Sequence, residues 1–101
     1  MFLLLRDGKV AEFNARRAAG ETVDLRKCNF RGVDLRELEA DGLDLTDGYF
    51  RGADLRGVDL RGATLHGASL AQAHVSGTYF PAKIAAQEIM MSVKLGTRLR
   101  Y

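Results

Sequence analysis

Residues 23–82 read VDLRK CNFRG VDLRE LEADG LDLTD GYFRG ADLRG VDLRG ATLHG ASLAQ AHVSG TYFPA, twelve consecutive blocks of five without an insertion. The third place of each block is Leu25, Phe30, Leu35, Ala40, Leu45, Phe50, Leu55, Leu60, Leu65, Leu70, Val75 and Phe80. The first place is small or apolar, the second usually acidic or polar, the fourth often arginine, and the fifth holds seven of the eleven glycines. Neither a helical period of 3.6 nor a strand period of 2 survives this spacing. Two apolar residues separated by one polar residue point the same way from an extended segment. Five is odd, so the alternation breaks once per block, and glycine at the fifth place suits a corner.

The blocks ADLRG and VDLRG at 53–62 resemble the consensus A-(D/N)-L-x-x of the pentapeptide-repeat family, and ATLHG and ASLAQ follow with Thr64 and Ser69 in the second place. The resemblance implies a right-handed quadrilateral β-helix with four blocks, hence 20 residues, per coil. The expected fold class is therefore an all-β solenoid, a right-handed quadrilateral β-helix of about four coils, the first one degenerate, with a C-terminal capping α-helix. Residues 1–82 form the β-helix, with 3–22 a degenerate first coil or N-terminal cap and 23–82 the clear repeats; 83–101 form a helix and tail.

The degenerate coil comes from running the frame backwards, with Leu3 and Leu5, Gly8 and Val10, Phe13 and Ala15, and Ala18 and Gly20 as inward pairs. None of the 32 inward places then holds a charge, where chance would put about nine. The rival for residues 2–13 is a hairpin turning at Asp7-Gly8, and the coil is preferred. Stacking at 20 residues sets Val10, Phe30, Phe50 and Leu70 in one column beside the small residues Gly8, Cys28, Gly48 and Ala68. Large residues facing small ones fill a narrow interior.

The 101 residues carry a formal charge of +2 and are 47% apolar, the size of one domain. One cysteine excludes a disulfide framework, and a cytoplasmic protein is expected. The longest apolar run, Phe2 to Leu5, is too short to cross a bilayer, so no membrane partner is expected.

After Pro81 the period stops, and Lys83 to Leu95 reads as a helix ended by Gly96. Ala86, Ile89, Met90 and Val93 form an apolar stripe that would cap the last coil. A second stripe, Ile84, Met91 and Leu95, lies opposite. Either Thr97 to Tyr101 folds back over it, or it meets its own copy in a homodimer. The homodimer is preferred, since several family members are similar in dimerising through C-terminal elements.

No catalytic constellation, cofactor motif or metal set is present, and an enzyme is not expected. Cys28 is expected to be a small buried hydrophobe, His66 a solvated corner residue, and His74 a surface polar one. Residues 1–81 hold 11 basic and 12 acidic side chains, and residues 82–101 hold 4 and 1. One side is basic, with Lys9, Arg31 and Arg51 beside Asn29, Tyr49 and Glu12. Arg31, Arg51 and Tyr49 are its candidate partner contacts. Another side, with Glu21, Glu39, Asp41 and Asp59 against Arg61, is acidic. A third stacks Arg16, Arg36 and Arg56 beside Asp34 and Asp54.

These readings favour a non-catalytic protein-interaction scaffold. The resemblance also raises an alternative, a DNA-mimic modulator of a type II topoisomerase such as DNA gyrase. Four coils rise only about 19 Å, and the net charge is positive, which disfavours it. Direct nucleic-acid binding by the basic side and tail is a third, weaker reading.

Overall fold

Isolated parallel bridges join residues twenty apart: Asn29 to Tyr49 to Ser69, Asp34 to Asp54 to His74, Asp44 to Thr64, and Asp59 to Tyr79. The computed structural model describes residues 1–101. Its four columns of bridges lie five residues apart, so the backbone closes a turn every four blocks. The third-place carbonyl of one block accepts from the first N–H of the next, as in Val33 to Phe30 and Val58 to Leu55, both 3.0 Å. Most of the corners so formed have positive φ at the fifth place, including the non-glycines Lys27, Glu37, Asp47 and Gln72 at 56–70°.

A corner in every block explains a departure from the all-β expectation. Strands need successive paired residues, and here only one residue per block keeps a bridge before the chain turns. No strand or sheet forms, and the three regular elements are helices: α1 (Phe2–Arg6), α2 (Val10–Ala18) and α3 (Ala86–Leu95). Cohesion comes instead from the interior, a cluster of 23 buried apolar residues. Phe30 and Phe50 stack with ring centroids 4.8 Å apart, and Phe2 meets Phe30 edge-on at 5.3 Å. The large-beside-small expectation holds at Gly48, where a Cβ would lie 2.7 Å from the Phe50 ring.

The coiled part is three turns, because residues 3–22 form neither a fourth coil nor a hairpin. Alanines at 11, 15, 18 and 19 favour helix over coil. Val10 and Phe13 are buried, and Asn14 and Arg17 are half-buried beside them. That is the i, i+3, i+4, i+7 stripe of a helix, with two polar members. Those two cap the first coil. Asn14 donates to the Glu37 carbonyl and accepts from the Glu39 N–H, and Arg17 donates to the carbonyls of Glu39 and Asp41.

The other end is closed by substitution, donor for donor. In the middle coil the N–H groups of Leu45, Asp47, Phe50 and Gly52 bond to the carbonyls of Thr64, His66, Ser69 and Ala71. One coil later the equivalent donors have no further coil. Leu65 donates to the Tyr101 hydroxyl and Gly67 to the Leu99 carbonyl, while Leu70 donates to Ser92 Oγ and Gln72 to the Val93 carbonyl. A buried N–H left open costs about 1–3 kcal/mol, so these four bonds fix how α3 and the tail sit.

Candidate interaction surfaces

The recurring Asp-Leu-Arg triplet builds a closed unit. Each second-place aspartate accepts the backbone N–H two residues on, an Asx-type turn, and the fourth-place arginine returns along the extended segment to grip the same carboxylate. Arg56 binds Asp54 at 2.9 and 2.7 Å, and Arg61 binds Asp59 at 2.9 and 2.8 Å. Asp24–Arg26 and Asp34–Arg36 repeat the geometry. The guanidinium bonds, reinforced by the backbone N–H, hold Asp24 and Asp59 down at about 2. Asp54 lies lower still, because Arg56 grips it and Arg36 of the preceding coil approaches to 3.4 Å.

Two of the six blocks with a fourth-place arginine lack the acid. Their second places are Asn29 and Tyr49, and their fourth places are Arg31 and Arg51. Asn29 still accepts the Arg31 N–H, but neither guanidinium has a hydrogen bond or ion pair with a protein group. The structure brings the three proposed partner contacts together: Tyr49 bridges to Asn29, and the Gly32 N–H bonds to the Arg51 carbonyl at 2.8 Å. Lys9 and Glu12, expected beside them, leave with the lost coil. Lys9 caps α2, and Glu12 faces Arg16 at 3.9 Å. In their place come Lys27 and Arg98, which line an open depression of ≈ 450 Å³ with Asp47 and Tyr49. Arg98 lies 3.6 Å from Asp47 and donates to the Gly67 carbonyl. The tail's contribution was not visible from the repeats, since it depends on how the chain end folds.

The expected dimer stripe of Ile84, Met91 and Leu95 is not a stripe. Ile84 precedes α3, which starts at Ala86 rather than Lys83, and is buried at 6% exposure. Met91 and Leu95 are exposed, and Met90 joins them at 54%, although the repeat of apolar residues placed it inward. The helix is rotated because fully buried Ser92 must meet the Leu70 N–H. Ile89 and Val93 flank Ser92 inside, and Gln87, Met90, Met91, Lys94 and Leu95 form the outer face. The tail does not cover that face. It runs antiparallel to Ser69 through Arg98, buries Leu99, and stacks Tyr101 on His66 at 3.8 Å.

The remaining chemistry-bearing residues are apart. Cys28 is half-buried rather than fully enclosed, and burial pushes its thiol up. His74 is exposed on the bridge to Asp54, and His66 is exposed at its corner as expected, with Tyr101 stacked on its ring. The acidic side is half neutralised: Arg16 grips Glu21 and Arg61 grips Asp59, with Arg61 also 4.9 Å over the Tyr79 ring, while the Glu39 and Asp41 carboxylates stay unpaired. No helix is long and apolar enough to cross a membrane.

No curated protein and no solved structure matches the chain. The protein-family model for pentapeptide repeats matches residues 21–48 and 44–80, in eight copies. With more than half of the sequence matched, and with bridges at the spacing that four such blocks per turn require, this chain belongs to the pentapeptide repeat family.

Proposed function

We propose that this repeat protein is a protein-interaction scaffold without catalytic activity, its coil a right-handed quadrilateral β-helix, which self-associates through the outer face of α3. The observation behind this reading is the distribution of what is left unpaired. Four Asp-Arg clasps neutralise much of the coil surface, and both coil ends are capped. Three surfaces keep unsatisfied groups: two guanidiniums stand free on the Tyr49 face, the α3 face exposes an apolar centre, and Glu39 and Asp41, with Glu37 next to them, keep unpaired carboxylates on the acidic side. Surfaces of that kind serve recognition.

A second copy fits the α3 face. It is apolar at its centre, with Met90, Met91 and Leu95 at 54, 37 and 73% exposure, and is flanked by Gln87 and Lys94. A two-fold packing of one helix on its copy is self-complementary. Ten residues make only about 15 Å of helix, so the dimer is small and dissociates on dilution. Sedimentation velocity across a concentration series tests this: the weight-average mass rises toward twice the monomer's, and Met91→Lys keeps it at the monomer. An unchanged dimer in that variant overturns the assignment.

Mimicry of duplex DNA is less well supported. Three coils rise about 14 Å, and a mimic needs carboxylates spaced like phosphates, one charge per roughly 1.7 Å. Of the acidic side only Glu39 and Asp41 have no arginine partner for their carboxylates.

A further inference from the structure

We infer that the face around Tyr49 docks an acidic polypeptide segment, with Arg31 and Arg51 taking its carboxylates; this rests on the scaffold reading above. Everywhere else on the coil a fourth-place arginine is consumed by the aspartate two residues before it. Arg31 and Arg51 hold the same place in consecutive coils of one column, so their backbones are one ladder spacing apart, about 4.8 Å. A guanidinium offers a planar fork that binds carboxylate through two parallel bonds. The clasps show this sequence using that geometry four times internally. Left without an internal acid, the two remaining forks are free to take an external one.

The surroundings agree in sign. Lys27 and Arg98 border the same depression with Tyr49, and Asp47 is the one carboxylate lining it. Arg98 already faces that carboxylate at 3.6 Å. Tyr49 lines that depression with Lys27 and Arg98 and is exposed, with a hydroxyl able to donate to a carboxylate or a main-chain carbonyl. Tyr and Arg together are the side chains that most often dominate recognition surfaces.

Extent decides between an acidic peptide and a nucleic acid. The cationic area is confined to one face of two coils. On the adjoining faces Arg36 and Arg56 are spent on Asp34 and Asp54, and Arg26 on Asp24, while Asp44 has no arginine of its own. A phosphate backbone running past the patch would find no free cation there. A short segment with a few acidic side chains needs none.

The test titrates a fluorescein-labelled oligoglutamate peptide into the protein at about 50 mM salt, where screening leaves such contacts measurable. Arg31→Gln with Arg51→Gln should weaken binding about tenfold or more, on the scale of a lost charge-assisted bond. Lys9→Gln with Lys83→Gln, which removes the same charge elsewhere, should leave affinity within about twofold. Asn29→Asp with Tyr49→Asp keeps both arginines but supplies each with its own clasp, and should lose binding like the first pair. No binding at this salt, equal loss in both charge-removing pairs, or a single-stranded oligonucleotide binding more tightly than the peptide overturns the proposal. Sedimentation on the same samples separates the two levels. Intact self-association with no peptide binding refutes the acidic partner and leaves the scaffold standing; loss of both removes the scaffold reading too.

Discussion

Arg36 and Arg56 project from one face of the coil, Arg31 and Arg51 from the next, all at the fourth place of their blocks. The first two close a ladder that runs Asp34, Arg36, Asp54, Arg56 across two coils, with contacts of 2.8, 3.4 and 2.7 Å. The second two bond to no protein group. The backbone is the same on both faces, so the difference lies in the residue two positions earlier. Aspartate turns an arginine inward to its own block, whereas asparagine or tyrosine leaves it for solvent or a partner. On a repeat scaffold, then, the informative surface residues are those whose neighbour breaks the rule, and the commonest triplet marks surface that is already satisfied.

The free face differs beneath as well as above, and Gly48→Ala tests how far the two are linked. Its new Cβ would sit 2.7 Å from Phe50 and 3.0 Å from the Leu45 carbonyl. Phe50 cannot retreat, being stacked on Phe30. Overpacking of this kind costs about 2 kcal/mol, to be measured by thermal or chemical unfolding. Ala53→Gly, at the same block place on the clasped face, removes a methyl and adds unfolded-state freedom, so it costs about 1 kcal/mol. A neutral Gly48→Ala would mean that the glycine serves no packing need, and that Tyr49's position is free of the core.

Acid separates the faces next. Asp24 and Asp59 titrate at about 2 when folded, against about 3.9 in an unfolded chain. Lowered folded values mean that the unfolded state binds protons first as pH falls. The stabilisation is therefore complete above about pH 4 and is lost as pH drops through about 2. Asp54→Asn should lower the unfolding midpoint more than Asp34→Asn, since Asp54 faces two guanidiniums, and should flatten the acid limb. Arg31→Gln and Arg51→Gln should leave that limb unchanged, because no carboxylate depends on them. A midpoint insensitive to Asp54→Asn would show that the ladder adds nothing to folding, as exposed ion pairs often do not.

The period of five made the coil legible because third-place side chains must enter one narrow interior, and against the second-place Asp or Asn of the resembled family Tyr49 stands out as a departure. The ends were hidden for a common reason. Each is shaped by the coil's need for hydrogen-bond partners, which apolar patterning does not register. Asn14 and Arg17 complete the α2 stripe as donors and acceptors, so an apolar count sees only Val10 and Phe13 and lets a coil frame compete. Ser92 turns α3 so that Met90 faces out, although Met90 is the more apolar residue. Tyr101 and Leu99 replace carbonyls of a coil that is not there. Unpaired edge groups therefore predict that small polar residues near the ends of a repeat array will be buried. The Arg98 contribution to the Tyr49 face follows from that tail placement, and only the Arg31 and Arg51 part could be found from the blocks themselves.

The smallest effect concerns the corners. The free face ends its two blocks on Gly32 and Gly52, both at φ 67°, whereas the first block of the clasped face ends on Glu37 at φ 70°. Left-handed backbone costs a residue with a Cβ about 1–2 kcal/mol, and glycine returns part of that advantage through unfolded-state freedom. Glu37→Gly should therefore stabilise by about 0.5–1 kcal/mol. The Glu37 side chain makes no hydrogen bond or ion pair, while its carbonyl, which accepts from Asn14, stays in place. The substitution thus isolates backbone strain from surface charge. If stability falls instead, the glutamate holds the corner through its side chain, and the contrast between the faces extends to their turns. If it rises as expected, the corners of both faces obey one rule, and only the second-place residue sets them apart.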